Sequence, residues 1–303
     1  MPQPDLVTFV VMAYRQEAMV RDAIAAAFAQ THSPLQILLS DDNSPDGTFG
    51  VMQEMAAAYH GPHTVKLNRN PTNLGLIGHI NRVFELAEGA LLVYNAGDDI
   101  SEPERSAKLF AEFQNGRPLL IHSDVTDLDP DGQILAKQRE RQRHDHLETL
   151  PVERVALTKN NCIGASCAWS PDLYRLFGPI TETGVFEDRI FYFRARLAGS
   201  VGYVPERLVR YRRGAGLSFE RGEGEAETRK NFEIDLATFR QRLKDCQHLR
   251  PELGDVIAAL QRKLRKRVGQ LSDMDQTAAE PEKPGKTKAE REERRRAREA
   301  RQR

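Results

Sequence analysis

The residues best suited to carry chemistry are two adjacent carboxylates, Asp98 and Asp99, which follow a short apolar run. The run covers residues 90–94 and fits a buried strand, and Gly97 allows a sharp turn directly before the pair. Carboxylates at the exposed carboxyl end of a strand can hold a divalent cation, and open α/β sheets bind ligands at that end. Solvated turns and helix caps use the same residues, so the pair predicts a cation site only with support from elsewhere.

Two further acidic pairs have a similar setting. Asp41 and Asp42 end a second apolar run, and Glu187 and Asp188 open a segment with helical apolar spacing. The helix dipole keeps a carboxylate at a helix N-terminus ionised, so Asp188 is suited to take a proton from a hydroxyl group. The alternative for Asp188 is a simple helix cap, and for this residue alone the cap is the better interpretation.

The first hundred residues alternate strands with helices and so predict the elements that position these acids. The expected strands are 6–12, 35–40, 64–67 and 90–94, and the expected helices are 17–30, 48–59 and 76–88. Such alternation implies the α/β class, with a mainly parallel twisted sheet and helices on both faces. The chain lacks Gly-x-Gly-x-x-Gly after the first strand and lacks a Walker sequence, which argues against a dehydrogenase and a phosphate-loop hydrolase.

The second half of the chain predicts more helices than strands. Helices are expected at 103–115, 151–159, 171–177, 185–197, 226–246 and 252–271, and strands at 119–123, 160–169, 201–204 and 207–211. Residues 127–132 predict a hairpin turn rather than a calcium loop, because the closing Glu of such a loop is missing. Residues 137–146 predict a loop or a solvated helix end, and the Gly-rich residues 212–225 predict a flexible loop.

Charge divides the chain into a mildly acidic body and a basic end. The formal net charge is zero, yet residues 283–303 hold 10 Lys and Arg against 4 Asp and Glu. We expect a globular domain over 1–220, a helical extension over 221–271 and a disordered charged tail over 272–303.

The cysteine content and the hydropathy pattern predict the compartment. The chain has three cysteines and no secretory signal, which indicates a reducing environment and small buried side chains. The sequence has no window that approaches the roughly 20 apolar residues of a membrane helix, so a cytoplasmic protein is expected.

The order of the motifs resembles the family 2 glycosyltransferases, which have the GT-A fold. Residues 41–44 read Asp-Asp-Asn-Ser after the second strand, and residues 30–31 read Gln-Thr after the first helix. Residues 12–15 read Met-Ala-Tyr-Arg, where the family usually has Pro-x-Tyr-Asn, and residues 97–99 read Gly-Asp-Asp in place of Asp-x-Asp. The resemblance covers about residues 6–215.

The resemblance implies a donor-binding role for four residues. Ala13 and Tyr14 would contact the donor, with Tyr14 stacked on the nucleotide base. Asp42 would accept a hydrogen bond from an NH group of the base, and Asp98 would hold the ribose.

The resemblance also implies a cation and a base. Asp99 would bind a divalent cation, Mg²⁺ or Mn²⁺, which neutralises charge on the departing diphosphate. Asp188 takes the position of the catalytic base in the family, which removes the proton from the acceptor hydroxyl.

The function implied is that of an inverting glycosyltransferase, which moves a sugar from a nucleotide-diphosphate donor to a hydroxyl acceptor in polysaccharide or glycolipid biosynthesis. A UDP- or dTDP-sugar is favoured, because uracil and thymine both present an NH group to Asp42. The acceptor would be a saccharide or a lipid-linked molecule. The basic tail would touch an anionic membrane at its inner face, and no nucleic acid is expected as a partner.

Two other functions remain as alternatives. One is a sugar-phosphate nucleotidyltransferase, although the Gly-rich loop with Arg and Lys that such enzymes carry after the first strand is missing. The other is a non-catalytic adaptor with a degenerate transferase domain. Three arginines near Gly214 either close over the donor diphosphate or form a solvated loop, namely Arg210, Arg212 and Arg213.

Overall fold

An eight-stranded sheet forms the centre of the chain in a computed structural model, which describes residues 3–138, 147–159, 162–214 and 224–279. The strands are β1 (Gln3–Ala13), β2 (Leu35–Asp41), β3 (Thr64–Arg69), β4 (Gly89–Ala96), β5 (Ile100–Ser101), β6 (Leu120–Leu128), β7 (Ala168–Trp169) and β8 (Val201–Arg212). The helices are α1 (Val20–Phe28), α2 (Thr48–Ala57), α3 (Gly75–Leu86), α4 (Arg105–Gln114), α5 (Val152–Leu157), α6 (Pro171–Phe177), α7 (Glu187–Ala198), α8 (Gly224–Leu249) and α9 (Gly254–Ala279).

The sheet consists of two parallel blocks. The strand order is β3-β2-β1-β4-β7-β6-β8-β5, and β1 to β4 all run in the same direction. Strands β6 and β8 form a second parallel pair, with β5 antiparallel at its edge. Between the blocks, β7 pairs antiparallel through only two residues with both β4 and β6. The predicted α/β class with a mainly parallel sheet is confirmed.

Helices cover both faces of the sheet, as the alternation of the sequence predicts. Along β1, Val10 and Met12 pack in a core on the face covered by α3, α6 and α7, and helices α8 and α9 extend that core. Their neighbours Phe9 and Val11 pack in a second core with α1, α2 and α4. Successive side chains of a strand point to opposite faces, so an apolar run without polar gaps fits a strand that is buried on both sides.

The C-terminal helices are fastened to the sheet domain by a buried ion pair. Arg194 of α7 donates from Nε and Nη2 to the carboxylate of Asp245 on α8, both at 2.9 Å. Both side chains are almost fully buried, and Arg194 also donates to the carbonyl of Gly178. Within the described residues, none of the helices is long and apolar enough to cross a membrane.

The strand predicted at 160–169 is wrong. Residues 160 and 161 lie outside the described part, a 3-10 helix covers Gly164–Ser166, and β7 provides only Ala168 and Trp169. At the start of this turn, the Oε1 atom of Glu187 occupies the space that a Cβ atom on Gly164 would need. Cys162 and Cys167 are buried, as their small apolar character predicted, and neither is part of a disulfide bond within the described residues.

Two element boundaries also differ from the predictions. The strands predicted at 201–204 and 207–211 are one strand, β8, because the register with β6 shifts past Pro205 and Glu206 without ending the pairing. Helix α9 continues to Ala279, past the predicted start of the tail at 272, and an ion pair between Arg229 and Asp275 fastens this part of α9 to α8.

The hairpin turn predicted at 127–132 is present. The amide of Asp129 donates to the carbonyl of Gln133 at 2.8 Å, and Gly132 takes the left-handed conformation at φ 86°. Most of the loop predicted at 137–146 and most of that predicted at 212–225 lie outside the described residues.

Candidate active site

The carboxyl ends of β1, β2 and β4 lie side by side and bring the predicted donor residues together. Ala13 at the end of β1 pairs with Asp41, and Met12 pairs with Ala96. The amide of Asp42 donates to the carbonyl of Ala13 at 3.0 Å, and that of Gly97 donates to the carbonyl of Met12 at 2.8 Å. The loops that start at Tyr14, Asp42 and Gly97 therefore form one edge of the sheet.

Gly97 is needed for this close approach. A Cβ atom at this position would lie 2.6 Å from Oε1 of Gln16 and 2.8 Å from Cβ of Ala13, distances that real Cβ atoms do not show. Gln16 in turn forms a hydrogen bond with the carboxylate of Asp98. The glycine thus lets the Asp98 loop rest on the loop that follows β1.

The two members of the first acidic pair have different roles. Asp41 is fully buried and holds its own loop, because it accepts from the amide of Ser44 at 3.0 Å and lies 3.4 Å from Arg69 Nε. Asp42 accepts at Oδ1 from Asn70 Nδ2 at 2.8 Å and from the amide of Leu74 at 2.9 Å.

The second oxygen of Asp42 receives no hydrogen bond from the described residues and remains available as an acceptor. Tyr14, the predicted stacking partner of the base, is half-buried next to it at the end of β1.

His79 on α3 lies beneath this acidic pair. Its Nε2 is 2.7 Å from Oγ of Ser40, and its side chain is almost fully buried. Burial lowers the pKa of His79 to about 4, although the charges of Asp42 and Asp41 oppose the shift. The imidazole is therefore neutral at pH 7, and the sequence offered no signal for its place at the site.

We expect His79 to make the fold sensitive to mild acid. Its folded pKa of about 4 lies below the unfolded value near 6.5, so the unfolded chain takes up the proton first as the pH falls. The contribution of neutral His79 to the free energy of unfolding is fully present above pH 6.5. It decreases as the pH falls through this window, by about 2–3 kcal/mol at pH 4. Urea unfolding of wild type and His79→Gln at pH 7 and pH 4 measures the difference. His60→Gln, which changes an exposed histidine, is the control, and equal pH dependence of all three proteins would contradict the expectation.

The second acidic pair is buried at the end of β4. Asp98 is 6% exposed and Asp99 is 1% exposed, and Asp99 Oδ1 accepts from the amide of Arg212 at 2.9 Å. Burial raises the pKa of Asp98 and raises the pKa of Asp99 well above its usual range, and the charge of Asp98 raises the latter further. The charges of Arg212 and Arg105 offset this effect only in part, so the buried pair can still take up a divalent cation.

Arg105 is a buried cation near this pair that the sequence analysis missed. It is fully buried on α4 and donates from Nη1 to Ser101 Oγ at 2.8 Å and from Nη2 to the carbonyl of Ala165 at 2.8 Å. Burial lowers its pKa to about 10, so it remains charged at pH 7. A signal was present, since Arg105 stands four residues before Leu109 and eight before Phe113 on the apolar face of α4.

The third acidic pair begins α7 and lies close to the second. Glu187 is 7% exposed and its Oε1 occupies the space that a Cβ atom at Gly164 would need. Burial raises the pKa of Glu187 to about 8, with a further contribution from the charge of Asp188. Asp188 is half-buried, and its Oδ1 accepts from the amide of Arg189 at 2.6 Å.

Tyr94, a second residue that the sequence analysis missed, connects the two pairs. Burial raises the pKa of Tyr94 well above its usual range, and the charges of Glu187, Asp98, Asp99 and Asp188 raise it further, in that order. The phenol is thus protonated and within electrostatic reach of both acidic pairs. From the sequence, the position of Tyr94 in a buried strand predicts only that it packs in the core. It does not indicate that the phenol lies near two acidic pairs.

The three arginines of the predicted loop have separate positions. Arg212 is almost buried and donates from Nε to the carbonyl of Asp98 at 3.2 Å and from Nη1 to that of Pro130 at 2.9 Å. Arg210 instead forms a surface ion pair with Glu102, and Arg213 lies 4.0 Å from Asp127. Of the three, Arg212 belongs to the site, where it fastens the hairpin turn over the second acidic pair.

Comparison with known proteins agrees with this geometry. A model of the family described as glycosyl transferase family 2 matches residues 8–167, more than half of the 303 residues. This chain belongs to glycosyl transferase family 2. The predicted family is confirmed, and the match includes the first two acidic pairs but ends before the third.

Among curated members, the chain is similar to the putative glycosyltransferase EpsE of Bacillus subtilis. The two are 30% identical over 111 residues, which cover 37% of this chain and 39% of EpsE. The chain spans between about a quarter and two fifths of the length of the first curated relatives that it matches.

Two solved structures show the same GT-A fold. Residues 1–349 of S. aureus TarS in complex with UDP-GlcNAc superimpose with a TM-score of 0.61 at 14% identity, covering 86% of this chain and 71% of that one. A mannosyltransferase from Pyrobaculum calidifontis in complex with GDP-Man and Mn²⁺ gives a TM-score of 0.59 at 14% identity, covering 92% and 76%.

The second acidic pair of this family 2 chain fits a metal bound together with a ligand rather than a closed metal centre. Within the part of the chain that the structure describes, no three or more His, Cys, Asp or Glu residues are grouped to hold a metal ion. Mg²⁺ sites at nucleotides need only one or two carboxylates, because phosphate oxygens and water complete the coordination. The buried Asp98–Asp99 pair, with raised pKa values, meets that requirement.

Proposed function

We propose that this chain is an inverting glycosyltransferase, which transfers a sugar from a nucleotide-diphosphate donor to a hydroxyl acceptor in polysaccharide or glycolipid biosynthesis. The observation that carries the proposal is the common environment of the second and third acidic pairs around Tyr94. One pair ends a strand of the donor half of the sheet, and the other begins a helix opposite it. Such an arrangement can hold a leaving diphosphate and an attacking hydroxyl at one place.

The donor half supports nucleotide binding by contacts already described. Asp42 keeps one carboxylate oxygen for a base NH while Asn70 and Leu74 hold the other. Ala13 and Tyr14 would contact the base, and Asp98 would hold the ribose. UDP or dTDP is the favoured nucleotide, because the base must donate to a carboxylate.

Asp99 would hold the divalent cation, Mg²⁺ or Mn²⁺, with Asp98 beside it. When bound, the cation stabilises the negative charge that develops on the departing diphosphate. The mannosyltransferase structure with GDP-Man and Mn²⁺ supports the use of such an ion in this fold. Arg212 keeps the Asp99 carboxylate in place through its backbone amide.

The acceptor side supports base catalysis by Asp188. Its carboxylate would take the proton of the acceptor hydroxyl while the acceptor oxygen bonds to the anomeric carbon of the sugar. The bond from that carbon to the diphosphate then breaks on the opposite face, which inverts the configuration. Glu187 has a pKa of about 8 and is mostly protonated at pH 7, so it adds little charge that would oppose ionisation of Asp188.

The donor-binding part of the proposal predicts that UDP affinity depends on Asp99 and on a cation together. Asp99→Asn keeps an oxygen for the amide of Arg212 but removes the charge that binds the metal, so UDP affinity in Mn²⁺ should fall about tenfold to 100-fold. Calorimetric titration of wild type and variant, with Mn²⁺ and with chelator, measures this. Asp131→Asn, an exposed acid in the nearby hairpin turn, is the matched control. Equal affinity of wild type and Asp99→Asn in both conditions would refute the cation role.

We further propose that the enzyme works in the cytoplasm and touches the inner face of the membrane, where lipid-linked acceptors lie. The support is the excess of Lys and Arg in residues 283–303, which lie outside the described residues. Attraction to an anionic surface amounts to about 1 kcal/mol per Lys or Arg near it, reduced here by the interspersed Glu.

Sedimentation with anionic vesicles at low salt tests this contact. The full chain should pellet with the vesicles, and a version ending at Ala279, the last residue of α9, should pellet much less. Vesicles of neutral lipid are the control, and equal pelleting of both proteins would exclude the tail as the anchor.

A further inference from the structure

Three cationic side chains converge on one buried carboxylate beside the proposed base. Asp235 on α8 is 2% exposed and lies 2.9 Å from Lys159 Nζ, 3.6 Å from Arg189 Nη1 and 2.6 Å from Arg267 Nη2. These three cations come from distant parts of the chain and form what we call the Asp235 cluster. Arg189 directly follows Asp188, and the charge of Arg242 acts on both Asp188 and Asp235, so the cluster lies near the proposed base.

Aromatic rings hold two of these cations in fixed orientations. The guanidinium of Arg189 lies over the ring of Phe186 at 5.1 Å, and that of Arg267 lies over the ring of Phe232 at 4.5 Å. A planar guanidinium stacked on a ring keeps its N–H groups directed outward, which suits the oxygens of a phosphate group.

The cluster has more positive charge than its acids neutralise. Besides the three cations, the buried Arg242 donates to the carbonyl of Arg189 at 3.0 Å and is within electrostatic reach of Asp188 and Asp235. Three cations thus contact the single carboxylate of Asp235, and Arg242, whose Nη1 donates to backbone carbonyls, adds a fourth positive charge nearby. Lys159 is 53% exposed in its side chain, so the excess charge is open to a ligand.

We propose that the Asp235 cluster binds an anionic group, of the phosphate class, carried by the acceptor. The proposal rests on the proposed function in one respect, that Asp188 acts on the acceptor. A phosphate held by Lys159, Arg189 and Arg267 would place a neighbouring hydroxyl of the same molecule at Asp188. The donor phosphates are accounted for at the opposite acidic pair, so this second cationic centre serves the other substrate.

Calorimetric titration with sn-glycerol 3-phosphate tests the proposal on the full chain, first alone and then saturated with UDP and Mg²⁺. Wild type should bind this probe with UDP present and should not bind glycerol, which lacks the charge. Lys159→Gln alters a half-exposed side chain without disturbing the fold and should weaken binding about fivefold, the effect of one partly exposed ion pair. Lys263→Gln is the matched control, because Lys263 is exposed on α9 and forms no ion pair within the described residues.

Each outcome of the titration supports or overturns the proposed anion site. Unchanged affinity in Lys159→Gln, or no binding by wild type, would show that the cluster only fastens α8 and α9 to the domain. An equal loss in Lys263→Gln would mean that the probe responds to net charge and not to this site. Failure of UDP to bind would count against the proposed function, and the titration without nucleotide would still report on the cluster.

Discussion

Replacement of Asp188 by Asn is expected to reduce the rate of sugar transfer by roughly 10²–10⁴, the usual scale for loss of a positioned base. The amide keeps the shape of the side chain and can still accept from the amide of Arg189, so the fold should be retained. It cannot take the proton of the acceptor hydroxyl. Affinity for UDP should not change, because the role proposed for the residue is on the other substrate. Initial rates of transfer and calorimetric UDP affinity, measured on the same preparation, check both statements.

Two further variants separate the base from its surroundings. Glu187→Gln resembles the protonated form that a pKa of about 8 favours at neutral pH, so it should keep transfer within a few fold of wild type. Asp172→Asn changes an exposed Asp in the first turn of α6 and controls for loss of an acid at a helix start. Near-normal transfer by Asp188→Asn would leave that residue only its hydrogen bond to the amide of Arg189 in the first turn of α7, where Phe186 and not Asp188 is the N-cap, and loss of UDP binding would move it to the donor site.

Replacement of Asp245 by Leu is expected to destabilise the fold by about 3–5 kcal/mol, because it leaves the guanidinium of Arg194 buried without a counter-charge. The free energy of unfolding in urea, followed by circular dichroism, measures this loss. Glu85→Gln is the matched control, since it breaks an exposed ion pair with Arg82 that should contribute at most about 1 kcal/mol.

A double-variant cycle separates this ion pair from the packing around it. Arg194→Met combined with Asp245→Leu removes both charges and should cost less than the sum of the single changes. Some loss should remain, because Arg194 also donates to the carbonyl of Gly178. A cost below 1 kcal/mol for Asp245→Leu alone would show that α8 is held by apolar contacts instead.

The donor half of the fold was largely predictable from the sequence. Its strands are continuous apolar runs, and its acids stand directly after them, so local patterns placed Asp42, Asp98 and Asp99 at one edge of a parallel sheet. Asp188 was predictable for a similar reason, since it begins a helix with clear apolar spacing. In each case the position of the acid was predictable from the pattern of its neighbours in the chain.

The rest depends on contacts between distant segments. Arg105 joins the end of β4 to residue 165, and Asp235 gathers cations from α7, from α9 and from the segment after α5. The space next to Gly164 is occupied by the side chain of Glu187, more than twenty residues later. Neither periodicity nor residue preference contains such information, because each describes one segment at a time.

The two-residue strand β7 has a consequence for how this molecule can change over time. Strand β7 connects two blocks of the sheet. The block of β1 to β4 would bind the nucleotide, and the block of β6 and β8, together with α7 to α9, would face the acceptor. Since few ladder hydrogen bonds connect the two blocks through β7, substitutions on the acceptor side need not disturb the register of β1 to β4. We expect acceptor specificity to vary more among relatives than nucleotide specificity. The block of β1 to β4 should change little, and the acceptor side should change more.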